Sequence, residues 1–540
     1  MRYREVDLND RRAAEILLDR FTFGARPGDV ERLLDQGLDT WWASQLEGSR
    51  PGADLERALA KLPATGMTQA EVAATYPGFS MVSAHARRYH DILPPRDEPV
   101  MDFSIIRERL ERFAEEQGFE RDEEVLFPQI RGQKLLHALL SESQLREVLT
   151  DLWQGHFHAG LSSFDARLWL ISFEQSALRP HALGRFGSLL AAAMRHPVML
   201  EHLKRAALPA TLTPGESLMA QRIEGLRSDP SRDADDTLDL LRTAESTLAA
   251  LDEERDLILA REFWAASGPN EELARTLLTL YTLGSRAAHS DADVRDVARV
   301  LTGWTAHPRG ATVQWFAQDF APLRPLGFVA ERGLLFRADQ HDAGAKRILG
   351  RDYGPGGGIE EGEQLLAQLA ARPETARHIA TKLTARFASE DVPERIVAPL
   401  ADRFESSGGD LGETLSVLVD LPEFWEVARR RAKVKSPFEY TVSTLRALGA
   451  EVDASEQLCA WCARMGEPLY GFLESTGYPE SGAYWLDPAA VLQRLRFARA
   501  LASGELRGVR LPSRESSDPG GSSSADARFA RIASPAFQSR

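Results

Sequence analysis

A mainly α-helical fold, built as a large multi-helix assembly with a small β excursion near residues 312–350, is what this 540-residue sequence predicts. Apolar residues recur at i, i+3, i+4 and i+7 along most of the chain, and strand-like alternation is scarce. A hydrophobic content of 43% over this length also suffices for a sizeable core.

Taken in order, Ala14, Leu17, Leu18 and Phe21 mark a first amphipathic helix. A turn at residues 24–28 leads into a helix over residues 29–37 that Gly37 closes as a C′ glycine, and residues 41–46 begin another amphipathic segment. Residues 63–99 carry several prolines and weaker periodicity, which predicts an irregular connection, before Leu135, Leu136, Leu139 and Leu140 resume the helical spacing. A second irregular stretch is expected at 208–215. Beyond Pro230 the chain is strongly charged, and Leu241, Ala244, Leu248, Leu251 and Ile258 would form one apolar stripe on a long helix. The strand candidates are residues 312–316 and 334–337, near the glycine-rich turn at 353–358. Residues 1–506 therefore read as one large helical domain with a charged helical insertion at about 214–263. Residues 507–540, rich in Ser, Pro, Gly and charge, read as a disordered tail.

Lys plus Arg total 65 against 80 Asp plus Glu, a net charge of −15. That balance disfavours attraction to a phosphate backbone or an anionic membrane, so neither nucleic acid nor membrane is an expected partner. The only cysteines are Cys459 and Cys462, so packing and not a disulfide framework must stabilise the fold. The first twelve residues are charged and lack an apolar signal-peptide core, and no run approaches the roughly 18 apolar residues that span a bilayer. A soluble, cytoplasmic protein is the expectation.

Dispersed blocks give the chain a family likeness. They begin with Leu17-Leu18-Asp19-Arg20-Phe21-Thr22-Phe23-Gly24, Trp153-Gln154-Gly155-His156-Phe157, residues 179–186 (Arg-Pro-His-Ala-Leu-Gly-Arg-Phe) and Arg195-His196-Pro197. The central block joins Asn270-Glu271, Ala274-Arg275 and Thr282-Leu283-Gly284 to Asp293-Val294, Ala298-Arg299 and Leu301-Thr302-Gly303-Trp304. His341-Asp342-Ala343-Gly344-Ala345-Lys346, Pro373-Glu374-Thr375-Ala376, Lys433-Val434-Lys435-Ser436-Pro437 and Gly477-Tyr478-Pro479 follow in order. Together they resemble the DUF 1800 family of bacterial proteins of unknown function, over roughly residues 13–500. The resemblance implies relatives that are often exported and often encoded beside a sulfatase-like family. Thr276 and Thr279 stand where relatives tend to carry glutamates, Leu203-Lys204-Arg205 stands where they tend to have Leu-Asp-Asn, and the export signal is missing. If those carboxylates did chemistry in the family, this copy has lost them.

Several residues carry chemistry-bearing patterns. His156 and His158 would bind a divalent metal if the backbone there is extended, and would point about 200° apart on a helix. His341, Asp342 and Lys346 bring an imidazole, a carboxylate and an ammonium into one polar turn, suited to acid–base catalysis with Asp342 orienting and His341 carrying the proton; the structural reading is a loop stapled by an Asx-turn and a salt bridge. Glu271 and Arg275 lie at i, i+4 behind the cap residue Asn270, either as a surface charge pair or, with Arg299 and Trp304, as substrate anchors. Cys459 and Cys462 form a C-x-x-C inside a helical run with no second pair, which favours buried small residues over a zinc site. The run at 354–358 lacks the Lys-Ser or Lys-Thr of a phosphate loop, and no Gly-x-Ser-x-Gly elbow occurs. The functional expectation is an enzyme, or a degenerate one, acting by acid–base or metal-assisted chemistry in a cleft collecting His156, Glu271, Arg275, His341 and Asp342. The rival is a helical scaffold that binds a partner protein through residues 233–263 or through the tail.

Overall fold

A computed structural model describes residues 1–48, 51–77, 82, 86, 103–119, 125–160, 167–204, 217–229, 234–259, 269–306, 320–331, 333–452, 455–512 and 524–540. The first long helix, Asp10–Phe21, starts where the Asn9 side chain accepts from the Arg12 N–H at 2.8 Å. Its apolar face buries Ala13, Ala14, Ile16, Leu17, Leu18 and Phe21. The Phe21 ring stacks on Phe387 at 5.1 Å and meets Trp42 edge-on at 4.7 Å, joining the chain's start to its second half.

Helices Phe127–Leu140 and Gln144–His156 form a tight hairpin. Gln144 closes it by donating to the carbonyl oxygens of Ala138 at 3.0 Å and Ser141 at 2.8 Å. Farther along, helices Pro373–Phe387, Glu394–Ser406 and Leu411–Val419 pack in succession. Helix Pro437–Leu448 runs through the interior and is buried at every position from Pro437 to Ala447, as expected of a helix without a solvent face. Ser436 and Glu439 cap it reciprocally. Arg446 near its far end donates to Gly24 O at 2.7 Å and Leu139 O at 2.9 Å, drawing three segments onto one side chain.

The mainly helical class with a small β part is what the structure shows. Strand Leu334–Phe336 pairs antiparallel with both Trp304–Ala306 and Val329–Glu331, and a hairpin pairs Lys346–Ile348 with Arg351–Tyr353. Leu349 and Gly350 turn that hairpin with φ of 50° and 86°, the two positive values a two-residue primed turn requires. The candidate strand at 312–316, the irregular stretch at 208–215 and most of residues 78–99 lie outside the described residues.

The reading of 507–540 as a disordered tail needs correction where the chain is described. Residues 509–510 pair with Glu451–Val452, and Ser524–Ala533 and Pro535–Gln538 are helices. Ile532 is buried, and its carbonyl accepts from the Tyr440 hydroxyl at 3.0 Å. Residues 433–435 bond with 538–540 as an antiparallel bridge, with Arg540 N to Lys433 O at 2.8 Å. Composition misled because a short amphipathic helix needs only a few apolar contacts when a preformed groove receives it.

Candidate functional site

Helices Gln144–His156, Pro373–Phe387 and Pro437–Leu448, with the loop over residues 467–485, surround a cavity of about 420 Å³. That is the size of a small-molecule site. Local spacing explains why polar groups reach it. Asp151 and Gln154 lie three residues apart on one helix, and Lys382 and Arg386 four apart on another, so each pair shares a face that meets the cavity. Gly155 and Gly477 let two backbones touch at the rim: Gly477 has φ +69°, and a Cβ there would run into the Gly155 carbonyl.

The floor is an alternating ion network. Arg386 reaches Asp151 at 2.8 Å, Glu439 at 3.1 Å and Glu480 at 3.2 Å. Lys134 pairs with Asp151 at 2.7 Å, and Lys433 with Glu480 at 3.0 Å. Arg540, 2% exposed, joins from the C-terminal helices through Glu439. Away from the cavity the alternation continues through Glu174 to Arg179, whose Nε holds Glu147 at 3.0 Å. Burial alone would raise the Asp151 and Glu480 carboxyls, but the surrounding cations outweigh it and hold both below their ordinary values.

Three lining groups stand apart. Glu467 has no cationic partner among the described residues, and burial, with Asp151 adding, pushes its carboxyl up to about 8 against the pull of the Phe438 N–H at 2.7 Å. A value there favours the protonated form at neutral pH. Lys382 makes no hydrogen bond or ion pair with a described residue, and burial lowers its ammonium despite Glu480. His156 Nε2 lies 3.1 Å from the Tyr281 carbonyl, to which only a protonated nitrogen can donate, so the neutral ring keeps a bare Nδ1, buried and without a partner. Burial, then Lys382 and His378, lower this imidazole far below its ordinary value. Tyr281 and Leu280, which accepts from His378 at 3.0 Å, belong to a π-helical stretch, Leu277–Thr282, a geometry that recurs at functional sites.

Of the nine residues the sequence offered as catalytic, substrate-binding or metal-binding, His156 and His158 line this cavity and the other seven do not. His158 lies beyond the helix end at His156, and its Nε2 is 2.9 Å from the Phe472 carbonyl, so both rings spend that nitrogen on backbone. Among the described residues, no group of three or more His, Cys, Asp or Glu side chains is arranged to hold a metal ion.

His341, Asp342 and Lys346 do converge, in a second, packed cluster. Lys346 donates to Glu361 at 2.7 Å and to the Asp342 carbonyl at 2.6 Å. His341 Nδ1 donates to the Thr302 carbonyl at 2.8 Å, and its Nε2 lies 3.4 Å from Glu361 without hydrogen-bond geometry. Arg299 clamps the Asp342 carboxylate with two bonds of 2.7 and 3.1 Å, so that Asp342 orients Arg299 and not the imidazole. The His341 and Lys346 side chains are both 0% exposed. Trp304 is buried beside them against Gly362. Glu271 is exposed, and Arg275 bonds Asp291 at 3.4 Å in place of the expected i, i+4 partner, because Asp291 at the next helix start comes within reach. Thr279 in the same helix donates back to the Arg275 carbonyl at 2.7 Å. Cys459 and Cys462 are buried, and burial pushes the Cys459 thiol up to about 12.

Sequence reasoning missed Lys382, Glu467 and the ion network. The signal was there as charged residues at four-residue spacing inside apolar helices, which ordinarily mark a solvated face.

With the geometry in place, the comparisons become readable. The model of a family described as "protein of unknown function (DUF1800)" matches residues 16–539. The chain belongs to the DUF 1800 family. No curated protein and no solved structure matches it. The family match runs through the helices at 524–538, so the DUF 1800 domain includes the segment that places Arg540. No helix among the described residues is long and apolar enough to cross a membrane.

The charged helix Ala234–Leu259 packs on Leu218–Arg227 and on residues 321–326, with Ala244 buried and Leu238 exposed; residues 260–263 lie outside the described part.

Proposed function

We propose that this DUF 1800 protein is an enzyme that performs acid–base chemistry on a small anionic substrate bound in the cavity between Asp151, Lys382 and Glu467. One observation carries the reading: groups of opposite proton habit face one hollow. Glu467 holds a proton at neutral pH, His156 offers an unoccupied nitrogen lone pair, and Lys382 presents a cation with no protein partner. Titratable groups whose surroundings push them in opposite directions are the usual mark of a donor and an acceptor.

In this reading Glu467 donates a proton to the substrate, His156 Nδ1 accepts a hydrogen bond that orients it, and Lys382 receives its negative charge. The ion network fixes the geometry, since Arg386 is held by three carboxylates. Three blocks behind the family likeness, at residues 153–157, 433–437 and 477–479, supply parts of the lining, which favours a use common to the family over an accident of packing. The packed cluster at His341 has a framework role here, tying residues 299–302 to 342–361.

The test is a calorimetric and turnover screen of the purified chain against small carboxylates and phosphate esters. Lys382→Met should abolish binding of whichever compound binds. Glu467→Gln should leave binding within about threefold and lower turnover by about 10²-fold or more. If both variants bind and turn over the same compounds as the parent, the cavity is not the site.

A further inference from the structure

A second hollow, of about 340 Å³, lies under the C-terminal helices on the other side of the 431–436 segment. Its lining holds three cations, Arg431, Lys435 and Arg531, against one carboxylate, Asp19. Asp19 is already taken by Arg431 at 2.6 Å, and Arg531 donates only a long bond of 3.4 Å to the Ala447 carbonyl. Lys435 is 4% exposed and has no hydrogen bond or ion pair from its ammonium to any described residue; it stands over the face of the Phe537 ring, 4.1 Å away, and Asp19, already paired with Arg431, favours its charge only through space. An aromatic face compensates a buried ammonium only in part. Burial draws Lys435 down to about 8, which still leaves the cation dominant at neutral pH. The rest of the wall is small: Gly24, Ala25, Ala447 and Ala536 leave room that no side chain fills.

We infer that this second cavity is a binding site for a small oxyanion-headed molecule, phosphate or carboxylate in chemistry, whose charge is received by Lys435 and Arg531. The site is independent of the proposed catalytic cavity but mechanically joined to it. Phe537 and Gln538 belong to the helix that covers it, Gln538 O accepts from Lys435 N at 3.0 Å, and Arg540, two residues on, holds Lys433 and Glu439 on the catalytic side. An anion that fastens Lys435 to the covering helices therefore also fastens the segment that positions Lys433.

The test titrates the full chain with inorganic phosphate and, separately, acetate at low ionic strength, in the Lys382→Met background so that the first cavity does not contribute. Saturable binding of either probe is expected. Lys435→Met, which keeps the contact with Phe537, and Arg531→Ala, on an exposed side chain, should each weaken it by roughly tenfold or more. Bound anion should also shield Lys435 from amine acetylation as read by peptide mass spectrometry. Absence of saturable binding in the Lys382→Met background, or affinities unchanged by both substitutions, overturns the inference while leaving the reading of the first cavity untouched. Loss of binding at the first cavity alone has the reverse meaning.

Discussion

Two buried clusters of charge lie in this fold, one around His341 and one around Arg386, and they differ in what solvent can reach. At His341, the charges of Lys346, Glu361, Arg299 and Asp342 pair with one another and with backbone, and although His341 Nε2 and Glu361 Oε1 keep no hydrogen bond, the imidazole is 0% exposed and solvent does not reach it. At Arg386 the pairs are just as close, yet Glu467, Lys382 and His156 line an open volume, and Lys382 makes no hydrogen bond or ion pair with a described residue. Pairing is what buried charge must do to survive desolvation, so paired charge marks architecture. A polar group left unpaired next to space marks a place where something else is meant to bind.

The largest expected effect falls on both clusters alike. Removing one cation by Lys346→Met or by Arg386→Met abandons buried carboxylates, and each variant should lose about 3–5 kcal/mol in urea denaturation. The contrast appears in what survives. Folded Lys346→Met should bind the first cavity's ligand with the parent's affinity, whereas Arg386→Met should not, because Asp151, Glu439 and Glu480 then share one cation fewer and their excess negative charge opposes an anionic ligand. Lost affinity in folded Lys346→Met would bring the His341 cluster back into the site.

Next comes pH. The Glu467 carboxyl is raised in the fold to about 8 from an ordinary value of 4.5, so between these values the unfolded chain gives up a proton that the folded chain keeps. Its contribution is fully present below pH 4.5 and is lost as pH rises through 8. Relative to Glu467→Gln, the parent should therefore lose about 3 kcal/mol of stability between roughly pH 5 and 7.5. Asp151, Glu480 and Glu147, held low by their cations, work in the opposite sense, and are common to both proteins. A flat difference between the two across that range would mean that Glu467 is ionised.

A smaller loss tests the rim. Gly477→Ala meets both a positive φ and the Gly155 carbonyl, and should cost about 1–3 kcal/mol by thermal or urea unfolding, with weakened ligand binding as the two backbones part.

How much of this was readable in advance follows from the same physics. Helical periodicity betrays Asp10–Phe21 because burial needs only one face, and the strand Leu334–Phe336 shows as a short apolar run between turns. The order of blocks carried the family likeness, and three of those blocks do meet in space. What the pattern conceals is partner choice. His341, Asp342 and Lys346 are neighbours in sequence and also in the fold, but the sequence does not show that Glu361 pairs with Lys346 and Arg299 with Asp342. Lys382 looks like any solvent-facing lysine of an amphipathic helix, because a single sequence does not say which helix face another segment will cover. The tail misled for a related reason: the Ser-, Pro- and Gly-rich residues 512–523 obscured the short amphipathic run Ser524–Ala533, whose Ile532 docks beside Tyr440.

The smallest effect is the most discriminating. Lys382 is a cation enclosed without a partner, so its charge is a cost to the fold and its place has to be justified by something other than stability. Replacing it with Met keeps most of the stem's apolar contact and removes the charge, and should raise stability by about 0.5–2 kcal/mol while ending ligand binding. The same swap at Lys346 goes the other way, because Lys346 neutralises Glu361. Opposite signs for one chemical change at these two lysines would separate a residue kept for a ligand from one kept for the fold. If Lys382→Met destabilises the chain as Lys346→Met does, Lys382 is serving the ion network, and the unpaired cation at the centre of the proposed site has a structural purpose.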